Sequence, residues 1–162
     1  MPPRQFPTRI DLPADNRRDL IALLNAHVAD LTDLRSQTKH AHWNVKGPTF
    51  IALHELFDKL AGRLDDLTDT TAERATALGG VAAGTVRHAA GASRLPEFPS
   101  QTFVGLSVVE ALAVRYADLG KSTREAIDAA DTLGDAATAD LFTEVSRELD
   151  QALYFLEAHL QG

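Results

Sequence analysis

Two histidines and an aspartate stand close together in "KHAHWNVKGPTFIALHELFD", residues 39–58: His42, His54 and Asp58. Eleven residues past Asp58 comes Asp69, and four beyond that Glu73. Imidazole and carboxylate together are a donor set suited to iron or zinc. The alternative is a solvated helix face, on which histidine and acids are commonplace. The chain holds six histidines, one tryptophan and no cysteine, so thiolate metal sites and disulfides are excluded.

Helical geometry sharpens the choice. At about 100° per residue, His54, Asp58, Asp69 and Glu73 fall within roughly 100° of one another, on a flank away from the apolar stripe of their own segment. Asp58 and Asp69 are nevertheless about 16 Å apart along a helix axis, too far to hold one ion within one chain. The point between residues 63 and 64 is the midpoint of Asp58 and Asp69, and also of His54 and Glu73. Two antiparallel copies about a two-fold axis there would bring Asp58 opposite the other copy's Asp69, and His54 opposite its Glu73. Ala61 and Gly62 lie at that crossing, small enough for close backbone approach; a helix glycine otherwise costs about 1 kcal/mol relative to alanine. His42, eleven residues after the apolar Leu31, lies within about 20° of it and reads as a packing histidine unless the second helix supplies a metal.

These residues need long helices to carry them. Pro13 with Asp15 or Asn16 marks a helix start, and Leu20, Leu24, Val28, Leu31 and Leu34 continue at helical spacing towards His42. Gly47-Pro48 breaks the chain and opens a second helix through Phe50, Leu53, Phe57, Leu60, Leu64 and Leu67, stopped by Gly79-Gly80. Residues 79–100 hold four glycines and two prolines and read as a long connection, with room for a short helix. A third long helix runs through Phe103, Val109, Leu112, Tyr116 and Leu119. After the turn "LGD" a fourth carries Leu141, Val145, Leu149, Leu153, Leu156 and Leu160 on one face. The expected fold class is all-α: a four-helix bundle with a long crossover between the second and third helices.

Length and charge narrow the function. At 162 residues, 44% hydrophobic and 24% charged, the chain fits one globular domain. It divides into an N-terminal tail, 1–15, and a domain, 16–162. A net charge of −7 disfavours nucleic-acid binding by the body and suits a cation ligand. No signal peptide and no membrane-spanning run is present, so the expected location is the cytoplasm. A di-iron centre inside a single ferritin-like bundle uses Glu-x-x-His pairs. That spacing occurs nowhere in the chain, which again points to an interface between chains.

The stretch "TKHAHWNVKGPTFIALHELFD", followed by "DTTAERATALGG" and later "SRELDQALYFLEAHL", resembles the Dps family, the ferritin-like "DNA-binding protein from starved cells", from about Leu20 to Leu160. The resemblance implies ferroxidase ligands at His42, His54 and Asp58 of one subunit, with Asp69 and Glu73 from the two-fold partner, holding at most two irons per site. It implies a homo-dodecameric shell that oxidises ferrous iron, preferably with hydrogen peroxide rather than dioxygen, and stores the ferric mineral. Trp43 is implied as an electron donor, and Asp135, Asp140 and Glu144 as the acidic lining of three-fold iron-entry pores. Asp135 reads equally well as a helix N-cap. Two other readings stay open. One is a chiefly DNA-compacting, nucleoid-associated protein, for which the N-terminus offers Arg4, Arg9, Arg17 and Arg18 but no lysine. The other is a dimer with a structural interfacial zinc, which has no redox chemistry.

Overall fold

The computed structural model describes residues 4–162. Five helices follow in order: α1 (Ala14–Asn44), α2 (Phe50–Ala77), the short α3 (Val86–Ala92), α4 (Gly105–Thr132) and α5 (Ala136–Glu157). α1 pairs with α2 and α4 with α5 as two antiparallel hairpins, and the crossover lays α3 against α1. The all-α expectation and the extra short helix are both met.

Leucines at steps of three and four give each long helix one buried stripe. Leu31, Leu34, Phe57, Leu64, Leu112 and Leu149 lie in a central core, while Leu20, Leu24 and Phe142 belong to a second cluster towards the other end. Gly79 ends α2 with φ at +89°, which other residues rarely adopt. A Cβ there would stand 2.4 Å from the carbonyl oxygen of Phe6, whose N–H donates to the Gly79 carbonyl at 2.7 Å. The N-terminal segment is thus laid onto the body, and Ile10 and Leu12 pack against the second cluster.

Two details differ from the sequence reading. α4 begins at Gly105, not Phe103, because backbone pairing claims the residues before it. The Phe103 carbonyl accepts from Lys46 N–H at 2.8 Å, and Gly105 N–H donates to the Lys46 carbonyl at 3.1 Å. This is a short parallel bridge between the entries to α2 and α4. Ala61 is buried at 1% exposure, so of the two small residues placed at the crossing only Gly62 faces outward.

His27 lies buried in α1 with its ring 4.6 Å from that of Phe142. Its Nδ1–H donates to the Leu23 carbonyl at 3.0 Å, and Nε2 has no partner. Burial pushes its pKa below the usual histidine range; Arg94 adds to the effect, while the Leu23 carbonyl and Asp30 oppose it. As pH falls below about 6.5, unfolded chains take up a proton that the buried ring resists. Stability is therefore lost from that pH downward. His27→Leu is expected to flatten the acid limb, read as a smaller drop in urea midpoint between pH 7.5 and 5.5 than in the wild type. An equal drop in both proteins would acquit His27.

Candidate metal centre

The last turn of α1 and the second turn of α2 face each other across the Gly47-Pro48 link, bringing His42 beside His54. Their rings stack at 3.8 Å and 23°. Each Nδ1 meets the other residue's backbone carbonyl, His42 to His54 at 2.7 Å and His54 to His42 at 2.9 Å. A carbonyl has no proton to give, so both Nδ1 atoms carry the hydrogen. In the neutral rings both Nε2 atoms keep a free lone pair, the tautomer a metal ligand needs.

One turn further along α2, Asp58 presents a carboxylate with 57% side-chain exposure, its Oδ1 4.0 Å from His42 Nε2. Lys39, one turn before His42, donates to the same oxygen at 2.6 Å. The ammonium stands where a cation would be drawn. Its hydrogen bond, aided by its charge and by the two imidazoles, outweighs desolvation and holds the Asp58 pKa below the usual carboxylate range. The sequence reading passed over Lys39; the signal was the K-x-x-H spacing, which sets both side chains on one face. Trp43 is 64% exposed beside this group, its ring 5.9 Å from Lys39 Nζ.

Asp69 and Glu73 lie on the same outward stripe of α2, exposed to solvent and towards its other end. Among the described residues no three His, Asp or Glu side chains of one chain converge to hold an ion. Within one chain, then, His42, His54 and Asp58 stand apart from Asp69 and Glu73.

Against known proteins, residues 21–162 match the family profile described as a ferritin-like domain. The Agrobacterium fabrum protein named "DNA protection during starvation protein" is 44% identical over 154 residues, 95% of each chain. The chain belongs to the Dps family of ferritin-like proteins. DpsA14 from Streptomyces coelicolor superposes with a TM-score of 0.92 at 33% identity, covering 100% of this chain and 95% of that one. A Dps protein from Vibrio cholerae O1, described as a member of a broad superfamily of ferritin-like diiron-carboxylate proteins, gives 0.89 at 25% identity, covering 95% and 96%.

Within this Dps fold the three acidic residues expected at a pore separate. Asp135 is only 4% exposed. It caps α5 by accepting from Thr138 N–H at 3.2 Å, its carboxylate also accepts from the Thr138 hydroxyl, and both its oxygens accept from Arg74 Nη2 at 2.9 and 2.8 Å. Burial raises its pKa, but the Thr138 and Arg74 hydrogen bonds win and the net shift is downward. Asp135 therefore acts as the cap of α5, its carboxylate engaged by Thr138 and Arg74. Asp140 is exposed near the start of α5, and Glu144, one turn on, accepts from Arg63 at 3.2 Å.

Proposed function

We propose that this Dps-family chain is a ferroxidase and iron-storage protein whose catalytic sites lie between two-fold-related copies in a dodecameric shell. The observation that carries this is the pair of imidazoles with Nδ1 spent on backbone and Nε2 free, beside Asp58 and on the helix that bears Asp69 and Glu73. Ferrous iron is the substrate. Two ferrous ions supply two electrons, and hydrogen peroxide accepts both as its O–O bond breaks to two hydroxide equivalents. The chain's part is to bring five imidazole and carboxylate side chains to one place, keep Asp58 ionised, and release Lys39 from it when iron arrives. Trp43, exposed at the rim, is positioned to give up an electron to a stray radical. Anaerobic loading with ferrous salt followed by peroxide tests the reading, with ferric absorbance expected at once. Binding of zinc and iron alike, with no ferric product, would instead favour a structural interfacial zinc.

Iron must reach the interior, and rings of carboxylates pass cations. Asp140 and Glu144 share a face of α5 and are the proposed lining of a three-fold entry. Asp140→Asn with Glu144→Gln is expected to slow ferrous uptake by roughly tenfold at low ionic strength, with oxidation at pre-loaded sites intact; Glu148 still holds Arg63, at 2.9 Å. Unchanged stopped-flow uptake in assembled shells would place the entry elsewhere.

The Agrobacterium relative's name speaks of DNA protection, and removal of iron and peroxide protects DNA without touching it. Direct binding is expected to be weak at physiological salt. Arg18 is paired with Asp15 at 2.7 Å and Asp19 at 3.4 Å, and Arg4 lies over the Phe6 ring at 4.7 Å. Twelve copies at −7 each sum to about −84, a field that repels phosphate. Plasmid retardation in a gel is expected to vanish between low and moderate salt; salt-resistant retardation would show that the arginines dominate.

A further inference from the structure

Before it reaches His42, α1 turns a polar stripe towards the crossover. Asp33, Ser36, Gln37 and His40 follow one another at helical spacing, on a face where a covered stripe is ordinarily apolar. Between them and residues 90–100 lies an open cavity of about 470 Å³, a size typical of sites that hold small molecules.

Polar groups taken out of water need partners, and those around the cavity are only partly supplied. Gln37 is spent: its Oε1 accepts from Arg115 Nε at 2.6 Å, and its Nε2 donates to the Pro96 carbonyl at 3.1 Å. Asp33 accepts from the Ser93 hydroxyl at 2.6 Å. His40 stands with its ring 5.3 Å from that of Phe98, and its Nε2 is buried with no partner. Among the described residues neither Asp33 nor Glu97 joins an ion pair. Arg115 lies behind the wall. Its Nη1 donates to the Ala111 carbonyl at 2.7 Å, its Nη2 to that of Glu97, and its guanidinium is 5.5 Å from the Phe98 ring. Asp33 acts on that charge only at a distance.

We propose that this cavity binds a small organic ammonium ion between α1 and the crossover. An ammonium group brings N–H donors and no acceptor. The cavity offers the matching acceptors: the carboxylates of Asp33 and Glu97, the hydroxyl oxygens of Ser36 and Ser100, and His40 Nε2 when its proton sits on Nδ1. Leu95 and Ala90 give the alkyl chain an apolar wall. No lysine or arginine lines the cavity, so its concave surface focuses a negative field inward. An anion is repelled there, and a neutral alcohol gains hydrogen bonds alone. A bare metal ion is poorly served, since no three His, Asp or Glu side chains of the described residues converge. The site is separate from the iron centre and does not rest on it.

Putrescine, a four-carbon diamine doubly charged at neutral pH, is the probe, and the four-carbon diol is its neutral counterpart. Calorimetry on the wild-type protein at physiological salt, which screens loose attraction, is expected to show saturable diamine binding with half-saturation below about 1 mM. The diol is expected not to bind. Asp33→Asn keeps an oxygen to accept from Ser93 and removes the charge, and should weaken the diamine at least about fivefold. Glu125→Gln removes the same charge from an exposed position on α4 and should leave binding unchanged. Ala90→Leu narrows the cavity while removing neither charge nor hydrogen bond, and should also weaken binding, so the outcome does not hang on one substitution. Equal weakening by Asp33→Asn and Glu125→Gln would reveal diffuse attraction to an acidic surface and overturn the proposal. Absence of saturable binding, equal binding of the diol, or unchanged affinity in a folded Ala90→Leu protein would overturn it too.

Discussion

A chain carrying His42→Ala with His54→Ala, and a chain carrying Asp69→Asn with Glu73→Gln, are each expected to lose nearly all ferrous oxidation. Unfolded together in equal amounts and reassembled, they should recover about one quarter of wild-type activity. The fraction follows from two-fold symmetry. Random pairing makes half of the dimers mixed, and a mixed dimer has one site with every ligand and one stripped of both halves.

The reason lies in the length of α2. Asp69 and Glu73 stand towards the far end of the helix from His54 and Asp58, and a rise of about 1.5 Å per residue keeps the two groups about 16 Å apart. No rotamer closes that gap within one chain, and none of the described residues gathers into a threefold donor cluster. Native mass spectrometry of each variant and of the mixture separates lost ligands from lost assembly. Properly assembled mixtures that oxidise no iron would remove the inter-subunit site. Substantial activity in either variant alone would show that one half-site suffices. The amide replacements keep size and remove only charge, so the loss reads the ionic contribution of Asp69 and Glu73 rather than their packing.

Much of this architecture is legible in the sequence because it rests on local periodicity. Leu20, Leu24, Val28 and Leu31 announce α1, and Phe57, Leu60, Leu64 and Leu67 announce α2. The Gly-rich stretch after Gly79 marks the crossover. What escapes is set by partners distant in the chain. The start of α4 moves past Phe103 because Lys46 takes its carbonyl, and no local pattern reports a contact across so many residues. Asp135 reads as an N-cap from its position, but that Arg74 also donates to both its oxygens is a contact across 61 residues that no local pattern reports. Ala61 is as small as the crossing requires, but one helical step of about 100° turns it inward and leaves Gly62 outside. Where the tail docks escapes for a similar reason. Ile10 and Leu12 are too few to form a period, and their docking shows only in their packing against the second cluster and in the Phe6–Gly79 pairing. The candidate ligands on α2 share a face by spacing alone. The orientation of His42 and His54 could not be read from sequence, since it depends on each ring finding the other's carbonyl.

Removal of Arg94 is expected to be the most damaging single change outside the hydrophobic core. Asp30 sits in the middle of α1 at 1% exposure, a carboxylate taken out of water. It accepts from Arg94 three times: the backbone N–H at 2.8 Å, Nε at 2.9 Å and Nη2 at 2.5 Å. Beside it Ser93 donates its hydroxyl to Asp33 at 2.6 Å. Together these bonds latch the segment after α3 onto α1 and hold the crossover across the bundle. Arg94→Met keeps the length of the side chain and removes the guanidinium, so a buried charge remains with one N–H donor. Breaking one side of such a pair costs about 3–5 kcal/mol. The Arg94 side chain is 46% exposed, which draws the expected loss to the lower end, about 3 kcal/mol. The pair is asymmetric, and that gives the sharper test. Asp30→Asn leaves no buried charge, its amide oxygen still accepts the Arg94 N–H, and the half-exposed guanidinium can turn to water. Its cost should be smaller by roughly 1–2 kcal/mol. Urea midpoints at one fixed protein concentration compare the two, since assembly makes apparent stability depend on concentration. Equal losses would mean that the charge is better solvated than its burial indicates. A loss under about 1 kcal/mol in Arg94→Met would mean that the backbone N–H alone holds the latch.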